Sequence, residues 1–190
     1  MKDIIDQALR ILQGKSIDGY EIHFNQSSHF DIESKDGKIE TLQTDRYLGV
    51  AFRILNHQRI GFSYTTLSNP SPSAPRNFSG ELDRMVEDAI RSAAATSPDP
   101  CFDFAPVLKA SPPELPIFDK TLEGISEKIK IEKAKDLEAS AKAVDSERIK
   151  KVRMASYQEV LSRTTLVNSN GVRCYYDHSL ASVSVTAVAE

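Results

Sequence analysis

All nine prolines of this 190-residue chain fall between residues 70 and 116. Proline lacks a backbone N–H and disfavours helix in the residue before it. The proline-containing stretches are therefore predicted to interrupt helices and strands. Residues 96–119 are predicted to form an extended connector, which divides the chain into a first unit at 1–95 and a second unit at 120–190.

The first unit has the pattern of a helix followed by antiparallel strands. Helical spacing of apolar residues over 2–13 gives way at Tyr20 to alternation of apolar and polar residues, which continues to Tyr64. Asp36-Gly37 supplies the residue pair that a two-residue hairpin turn requires. A loop at 68–80 leads to a second helix, for which Ser79 is the predicted N-cap.

The second unit repeats this order, with a helix over 127–144 and strands on either side of an Asn170-Gly171 turn. The predicted fold class is therefore α+β: two helix-plus-antiparallel-meander units joined by the Pro-rich connector. The repetition indicates an internal duplication. The alternative is that such units are common and the likeness is accidental. The predicted apolar stripe of the helix is Ile131, Ala134, Leu137, Ala141 and Val144.

Composition excludes several classes of partner. A net charge of −3 gives no electrostatic reason to expect binding to nucleic acid or to an anionic membrane. No apolar run reaches the ~20 residues of a membrane span, and the first residues lack the pattern of a secretory signal. Two cysteines are too few for a disulfide scaffold. A cytoplasmic location with reduced thiols is the expectation.

The stretch NSNGVRCYYDHSL (168–180) contains the most reactive-looking pair, Cys174 and His178. On a strand, positions four apart are separated by ~13 Å, whereas zinc ligands lie only ~2.0–2.3 Å from the ion. The pair is therefore predicted not to form a site. Cys174 is expected to be a small, half-buried hydrophobic residue, and His178 a histidine at a strand end.

The remaining candidates are isolated in the sequence. His23, His29 and His57 are separated and predicted to be solvated. Cys101, in the connector, is expected to be exposed, but no basic neighbour is available to activate its thiol. The sequence thus predicts no catalytic residue, no cofactor-binding residue and no metal ligand in this chain.

In addition to the opening helix, five stretches of sequence together indicate the relationship of this chain to known proteins better than any single residue does. They are DGYEIHF (18–24), LGVAFRILNHQRIGFSYTTLS (48–68), TSPDPC (96–101), ELPIFD (114–119) and NSNGVRCYYDHSLASVSVTAVAE (168–190). In this order they resemble the amino-terminal half of the PmbA/TldE branch of the TldD/PmbA family. The resemblance covers essentially the whole chain.

That resemblance implies a function that the residues alone do not give. PmbA/TldE-type subunits lack the zinc-binding His-Glu-x-x-x-His helix of the TldD type and pair with it in a cytoplasmic metallopeptidase. The complex degrades unfolded peptides and processes leader peptides, and an older family label is modulator of DNA gyrase. Zinc is expected only in a TldD-type partner, and the partner is expected to be that subunit or a second copy. Unfolded peptides are the expected substrate, and nucleic acid and membrane are not expected.

Three functions therefore compete. The first is a non-catalytic region of a PmbA/TldE-like subunit that encloses peptide and holds a partner, with extended peptide adding to a strand edge. The second is a stand-alone binding or assembly domain without a peptidase role. The third is a metal-free enzyme that uses Cys101 or Cys174, whose activity would disappear when both thiols are replaced.

If the two units are equivalent, the second has about one strand fewer than the first after its hairpin turn. The apolar residues Val183, Val185 and Ala187 would then lie near an unprotected sheet edge, which proteins normally cover or charge. The expectation is that the chain associates through this edge or leaves 180–190 poorly ordered.

Overall fold

The computed structural model describes residues 2–68, 78–107 and 113–190. The predicted loop at 68–80 and the predicted connector at 96–119 thus fall partly outside the described residues. The elements are α1 (Lys2–Gln13), β1 (Gly19–Lys35), β2 (Lys38–Asn56), β3 (Arg59–Ser68), α2 (Ser79–Ala94), a 3₁₀ turn (Leu122–Gly124), α3 (Glu127–Val144), β4 (Ile149–Asn168) and β5 (Arg173–Ala189). The prediction of an α+β fold is confirmed. None of the described helices combines the length and the hydropathy needed to cross a membrane.

These strands form one sheet in the order β3-β2-β1-β4-β5. β2 and β3 are antiparallel, from Asn56 opposite Arg59 to Tyr47 opposite Ser68. Four of the strands have 17 or more residues. β2 continues through 19 residues, which contain no proline that would interrupt it.

The chain folds into two compact units that are interleaved in the sequence. Unit 1 comprises Met1–Gln26, Tyr47–Pro113 and Thr164–Tyr176, and unit 2 comprises Ser27–Arg46, Glu114–Arg163 and Asp177–Glu190. β1, β2, β4 and β5 each contribute one part to unit 1 and the other part to unit 2. The boundaries drawn in chain order (1–95, 96–119 and 120–190) and the internal duplication stay predictions.

Unit 1 has an apolar core between its helices and one face of its strands. The even-numbered residues of β1 and β2 point inward, as the alternation predicted. The buried members of this core are Ile4, Ala8, Leu12, Ile22, Phe24, Leu48, Val50, Phe52, Ile54, Leu82, Met85, Val86 and Ala89.

Gly61 determines which face of β3 packs on α2. A Cβ at this position would lie 1.9 Å from the Ala89 carbonyl oxygen, so only glycine permits this approach of helix and strand. Because Gly61 faces the helix, its neighbours Phe62 and Tyr64 face away and are exposed. Alternation alone would place the apolar side chains of Phe62 and Tyr64 on the core face of the meander, but they lie on the opposite face.

In unit 2 the buried face of α3 differs from the predicted apolar stripe. Lys130, Ala134 and Glu138 are the buried residues of this helix, at i, i+4 and i+8. Val144, a member of the predicted stripe, is exposed. The helix itself is confirmed, but its orientation is set by two charged side chains that find partners in the sheet.

Two hairpin turns have the positive backbone angles that type I′ turns require. Asp36 and Gly37 have φ of 52° and 72°, and His57 and Gln58 have φ of 51° and 61°. The predicted Asn170-Gly171 turn is instead a four-residue loop at 169–172. Ser79 does not cap α2, because Phe78 is the N-cap residue and Ser79 Oγ donates to Gln7 Oε1.

Candidate functional site

Cys174 and His178 both lie on β5, as predicted. Cys174 is exposed rather than half-buried, which corrects the expectation. The reason is that β5 lies at the end of the strand order, where fewer side chains cover it. His178 lies inside β5 rather than at its end.

The other candidates are also kept apart. His29 Nε2 lies 3.2 Å from Ser27 Oγ, and the His57 backbone N–H donates to the Asp18 carboxylate in a hairpin turn. His23 is exposed on β1, and Cys101 is exposed, as expected. Within 2–68, 78–107 and 113–190, no group of three His, Cys, Asp or Glu side chains could hold a metal ion.

Unit 1 presents a sheet face on the side opposite its apolar core. We call it the open face and define it by Glu21, His23, Gly49, Ala51, Arg53, Phe62 and Tyr64. Across β2 and β3, Arg53 lies opposite Phe62, and Ala51 lies opposite Tyr64. The open face therefore has large aromatic side chains on β3 beside small residues on β2.

Phe62 and Tyr64 stack on each other, with ring centroids 5.7 Å apart and planes 30° apart. They are 50% and 73% exposed. Two adjacent aromatic rings this exposed form an apolar patch of the kind that marks interaction sites. Gly49 and Ala51 beside them leave room for a bound side chain against the sheet.

Arg53 fixes one end of the open face. Its guanidinium donates to the Glu21 carboxylate at 2.7 Å and lies 5.4 Å and 5.6 Å from the ring centroids of Phe102 and Phe104. These contacts combine an ion pair with cation–π attraction. The segment after α2 is therefore held against the sheet at this end.

Unit 2 contains a buried charged cluster, formed by Lys130, Glu159 and Tyr157. Lys130 Nζ donates to Glu159 Oε1 and Tyr157 Oη donates to Glu159 Oε2, both at 2.7 Å. Lys130 Nζ also lies 4.9 Å from the centre of the Phe30 ring. Burial raises the pKa of the Tyr157 hydroxyl, and the Glu159 carboxylate raises it further. Each charged group is partnered, so the cluster holds α3 to the sheet.

Glu138 of α3 holds the β1–β2 turn in the same unit. Its carboxylate accepts hydrogen bonds from Ser34 Oγ at 2.8 Å, from the Gly37 N–H and from Lys142 Nζ. Burial would raise the pKa of this carboxyl, but Lys142, Ser34 and Gly37 together lower it below its ordinary value. Glu138 is therefore a structural anchor of the turn.

The edges of the sheet differ in protection. On β3, the Phe62 N–H donates to Ser92 Oγ and the Ile60 carbonyl accepts from Thr96 Oγ1, so side chains from the end of α2 occupy part of that edge. On β5, Ser179 N–H donates to the Ile117 carbonyl at 2.9 Å. Beyond Ser179, residues 180–189 of β5 carry no charge, proline or glycine.

Sequence reasoning missed the open face because Phe62 and Tyr64 continue the alternating pattern of a core face. The signal was present in Gly61, since glycine inside a strand often marks the close approach of another backbone. The contacts of Arg53 with Glu21 and with the aromatic rings of Phe102 and Phe104 could not be predicted from the spacing of these residues in the sequence.

Two family models match this chain. The PmbA/TldA metallopeptidase domain 1 matches residues 20–93, and the PmbA/TldA metallopeptidase central domain matches residues 120–190. The chain belongs to the TldD/PmbA family. The resemblance stated from the sequence is confirmed. No curated protein sequence matches the chain.

Solved structures of low sequence identity share the fold of this TldD/PmbA-family chain. A candidate modulator of a DNA gyrase from Thermotoga maritima is 16% identical with a TM-score of 0.78, and TldE from Thermococcus kodakarensis is 17% identical with a TM-score of 0.74. A candidate modulator of DNA gyrase from Bacteroides thetaiotaomicron is 21% identical with a TM-score of 0.81. Each likeness covers 100% of this chain but only 40%, 39% and 41% of the other chains, in that order.

Proposed function

We propose that this chain is the amino-terminal region of a PmbA/TldE-like, non-zinc subunit of a cytoplasmic metallopeptidase. Membership of the TldD/PmbA family and the shared fold with a TldE support this assignment. In this role the chain encloses unfolded peptide and contacts a TldD-type subunit. Zinc and the hydrolytic chemistry belong to that partner.

The observation that carries the proposal is the exposed aromatic pair of the open face. Phe62 and Tyr64 stack beside Ala51 and Gly49, on a face that the core of unit 1 does not use. Aromatic contact does not depend on one particular partner side chain, so it suits an enzyme that acts on many unfolded sequences. Arg53 and Glu21 neutralise each other at one end, which leaves the face without a strong charge preference.

Co-purification from the native cell tests the assembly. The tagged full-length protein is purified under mild conditions, and bound proteins are identified and quantified by mass spectrometry. We expect a TldD-type subunit with a His-Glu-x-x-x-His helix in near-equal amount. Recovery of the tagged protein with no such subunit, from cells that produce both, would overturn the proposed function.

Kinetics of the reconstituted complex tests the open face. In the double variant Phe62→Ser/Tyr64→Ser we expect KM for an unstructured peptide to rise by roughly tenfold with kcat retained, because binding surface is lost and the zinc chemistry is untouched. Leu42→Ser, which truncates an exposed apolar side chain on the other part of β2, is the matched control and should leave KM unchanged. Equal KM values in both variants would exclude the open face as the peptide site.

A stand-alone binding domain is the second candidate, because the same open face could serve it. This second candidate predicts that the chain binds peptide and that no zinc subunit is recovered in the co-purification. The two experiments together separate the candidates.

A further inference from the structure

The loop at 169–172 contains an asparagine that is followed by glycine, Asn170-Gly171, the one such pair in the chain. Asparagine is among the thermolabile residues. Glycine has no side chain, so its backbone nitrogen can approach the Cγ atom of the preceding asparagine. Both residues are exposed, so water can reach them. This pair therefore has the chemistry of a deamidation site.

In the folded chain the Asn170 side chain holds part of the connector. Its Nδ2 donates to the Phe104 carbonyl at 2.7 Å and to Asp103 Oδ1 at 3.3 Å. A carbonyl and a carboxylate only accept hydrogen bonds, so this position requires the NH₂ group of an amide. Asn168 Nδ2 donates in the same way to the Ala105 carbonyl at 2.8 Å. We call these five residues the connector clamp.

The loop that carries Asn170 is itself fixed to β1. The Ser169 N–H donates to the Tyr20 carbonyl at 2.8 Å, and the Tyr20 N–H donates to Ser169 Oγ at 3.1 Å. Every residue of the connector clamp and of this anchor belongs to unit 1. The connector clamp therefore fastens the connector to the sheet of unit 1.

Both groups that would react are occupied while the connector clamp is closed. The Gly171 nitrogen is the nucleophile, and its N–H donates to the Asn168 carbonyl at 3.2 Å. The Asn170 side-chain nitrogen is the leaving group, and it is bonded to Phe104 and Asp103. These hydrogen bonds must open before the two residues can react, so the fold slows the reaction.

We propose that Asn170 is a site of self-modification, at which deamidation releases the connector from unit 1. The Gly171 nitrogen forms a bond to Cγ of Asn170, the Cγ–Nδ2 bond breaks, and the side-chain nitrogen takes up the Gly171 proton and leaves as ammonia. Water then opens the five-membered succinimide ring at either carbonyl carbon, which gives aspartate or isoaspartate. The reaction needs water and no other reactant.

Either product removes the donor of the connector clamp. The new carboxylate faces the Phe104 carbonyl and the Asp103 carboxylate, so acceptors meet acceptors and two like charges meet. Isoaspartate also lengthens the main chain of the loop. Because refolding does not restore the amide, the connector cannot return to its place. This inference goes beyond the proposed function, since neither peptide nor a partner subunit takes part.

Peptide mass spectrometry tests the reaction. The full-length protein is kept in mildly alkaline buffer, either folded or in urea, and digested at intervals. In urea we expect Asn170 to convert faster than Asn56, which precedes His57 and is the internal control. In the folded protein Asn170 should convert about tenfold more slowly than in urea, because the connector clamp must open first. Equal rates in the two conditions, or no conversion at all in the folded protein, would overturn the proposal.

Matched arginine variants test the control by the connector clamp. Arg53→Gln removes the charge over the rings of Phe102 and Phe104, so we expect Asn170 in the folded protein to convert several-fold faster. Arg163→Gln is the control, because Arg163 also makes a 2.7 Å ion pair with a glutamate, and its side chain is 51% exposed against 44% for Arg53. Circular dichroism checks that both variants fold. Equal conversion in the two variants would contradict a reaction that the connector clamp controls.

Hydrogen exchange tests the release of the connector. In Asn170→Asp, which reproduces one product, we expect the backbone N–H groups of residues 99–104 to exchange several-fold faster than in the wild type. Asn170→Gln keeps an NH₂ donor but would need a six-membered ring to react, so it should not convert and should exchange more slowly than Asn170→Asp. Unchanged exchange in Asn170→Asp would overturn the proposal. A protein that recruits a zinc subunit but never converts at Asn170 would support only the proposed function.

Discussion

The two units of this chain bury different chemistry beneath helices of similar kind. Unit 1 packs α1 and α2 on aliphatic and aromatic side chains. Unit 2 has a much smaller apolar cluster, around Ile32, Ala134 and Tyr157, and surrounds it with buried charges. Burial of apolar area depends little on direction, whereas ion pairs and hydrogen bonds require one geometry. Unit 2 should therefore be more sensitive to isosteric polar substitutions, and unit 1 to changes of volume.

The largest expected effect comes from Glu159→Ala in unit 2. Removing this carboxylate leaves Lys130 and the Tyr157 hydroxyl buried without their acceptor, which should lower the free energy of unfolding by about 3–5 kcal/mol. Urea unfolding followed by circular dichroism measures it. Glu123→Ala, which breaks the exposed 2.7 Å pair with Arg163, is the control and should cost at most about 1 kcal/mol. Equal losses in the two variants would contradict the conclusion that buried charges, rather than exposed ion pairs, stabilise unit 2.

A change of volume in unit 1 should have the next largest effect. In Gly61→Ala the new methyl group would meet the Ala89 carbonyl, so α2 must shift, at a cost of about 2–4 kcal/mol. Gly49→Ala is the matched control, because its Cβ would lie 3.8 Å from the Asn25 carbonyl oxygen, an ordinary contact. We expect its unfolding midpoint in urea to stay close to that of the wild type. A Gly61→Ala midpoint as high as that of Gly49→Ala would show that the strand and helix can separate at no cost.

The smallest effect concerns the pH response of unit 2. The pKa of Glu138 is lowered in the folded state, so its contribution to stability is present above the ordinary pKa of 4.5 and is lost as pH falls through the lowered value. Glu138→Gln should cost about 1–3 kcal/mol at pH 7. It should cost less at pH 3, because this pH lies below the ordinary pKa of 4.5 and the unfolded chain then gains stability by binding the proton. Thermal unfolding at both pH values measures this, and a loss that grows toward pH 3 would exclude the assigned role.

Alternation and helical spacing predicted most elements, because burial of one face imposes a period that the sequence must carry. These patterns failed for α3, because the orientation of this helix is determined by hydrogen-bonding partners of its charged side chains and not by the spacing of its apolar residues. Lys130 and Glu138 appear in the sequence as solvent-exposed charges of α3, yet both are buried because Glu159, Ser34 and Lys142 bind them. Lys142 lies four residues from Glu138, but Ser34 is 104 residues from Glu138 and Glu159 is 29 residues from Lys130, and partners this far apart leave no trace in local spacing.

The candidate site was less predictable than the fold. An exposed aromatic pair such as Phe62 and Tyr64 has the same alternating pattern as a core pair, and only Gly61 distinguishes them. The exposure of Cys174 likewise depends on the place of β5 in the strand order, which follows from pairing across the sheet rather than from β5 itself.

The pairing of β1 with β4 has a consequence for synthesis on the ribosome. Tyr20 and Ser169, whose backbone and side chain are hydrogen-bonded, are separated by 149 residues. At about 5–20 residues per second, β1 emerges roughly 7–30 s before its β4 neighbour, although hairpins themselves form within microseconds. During that interval the β1–β2 hairpin presents an unpaired strand to the cell. We expect the nascent chain to need a holding chaperone for this period.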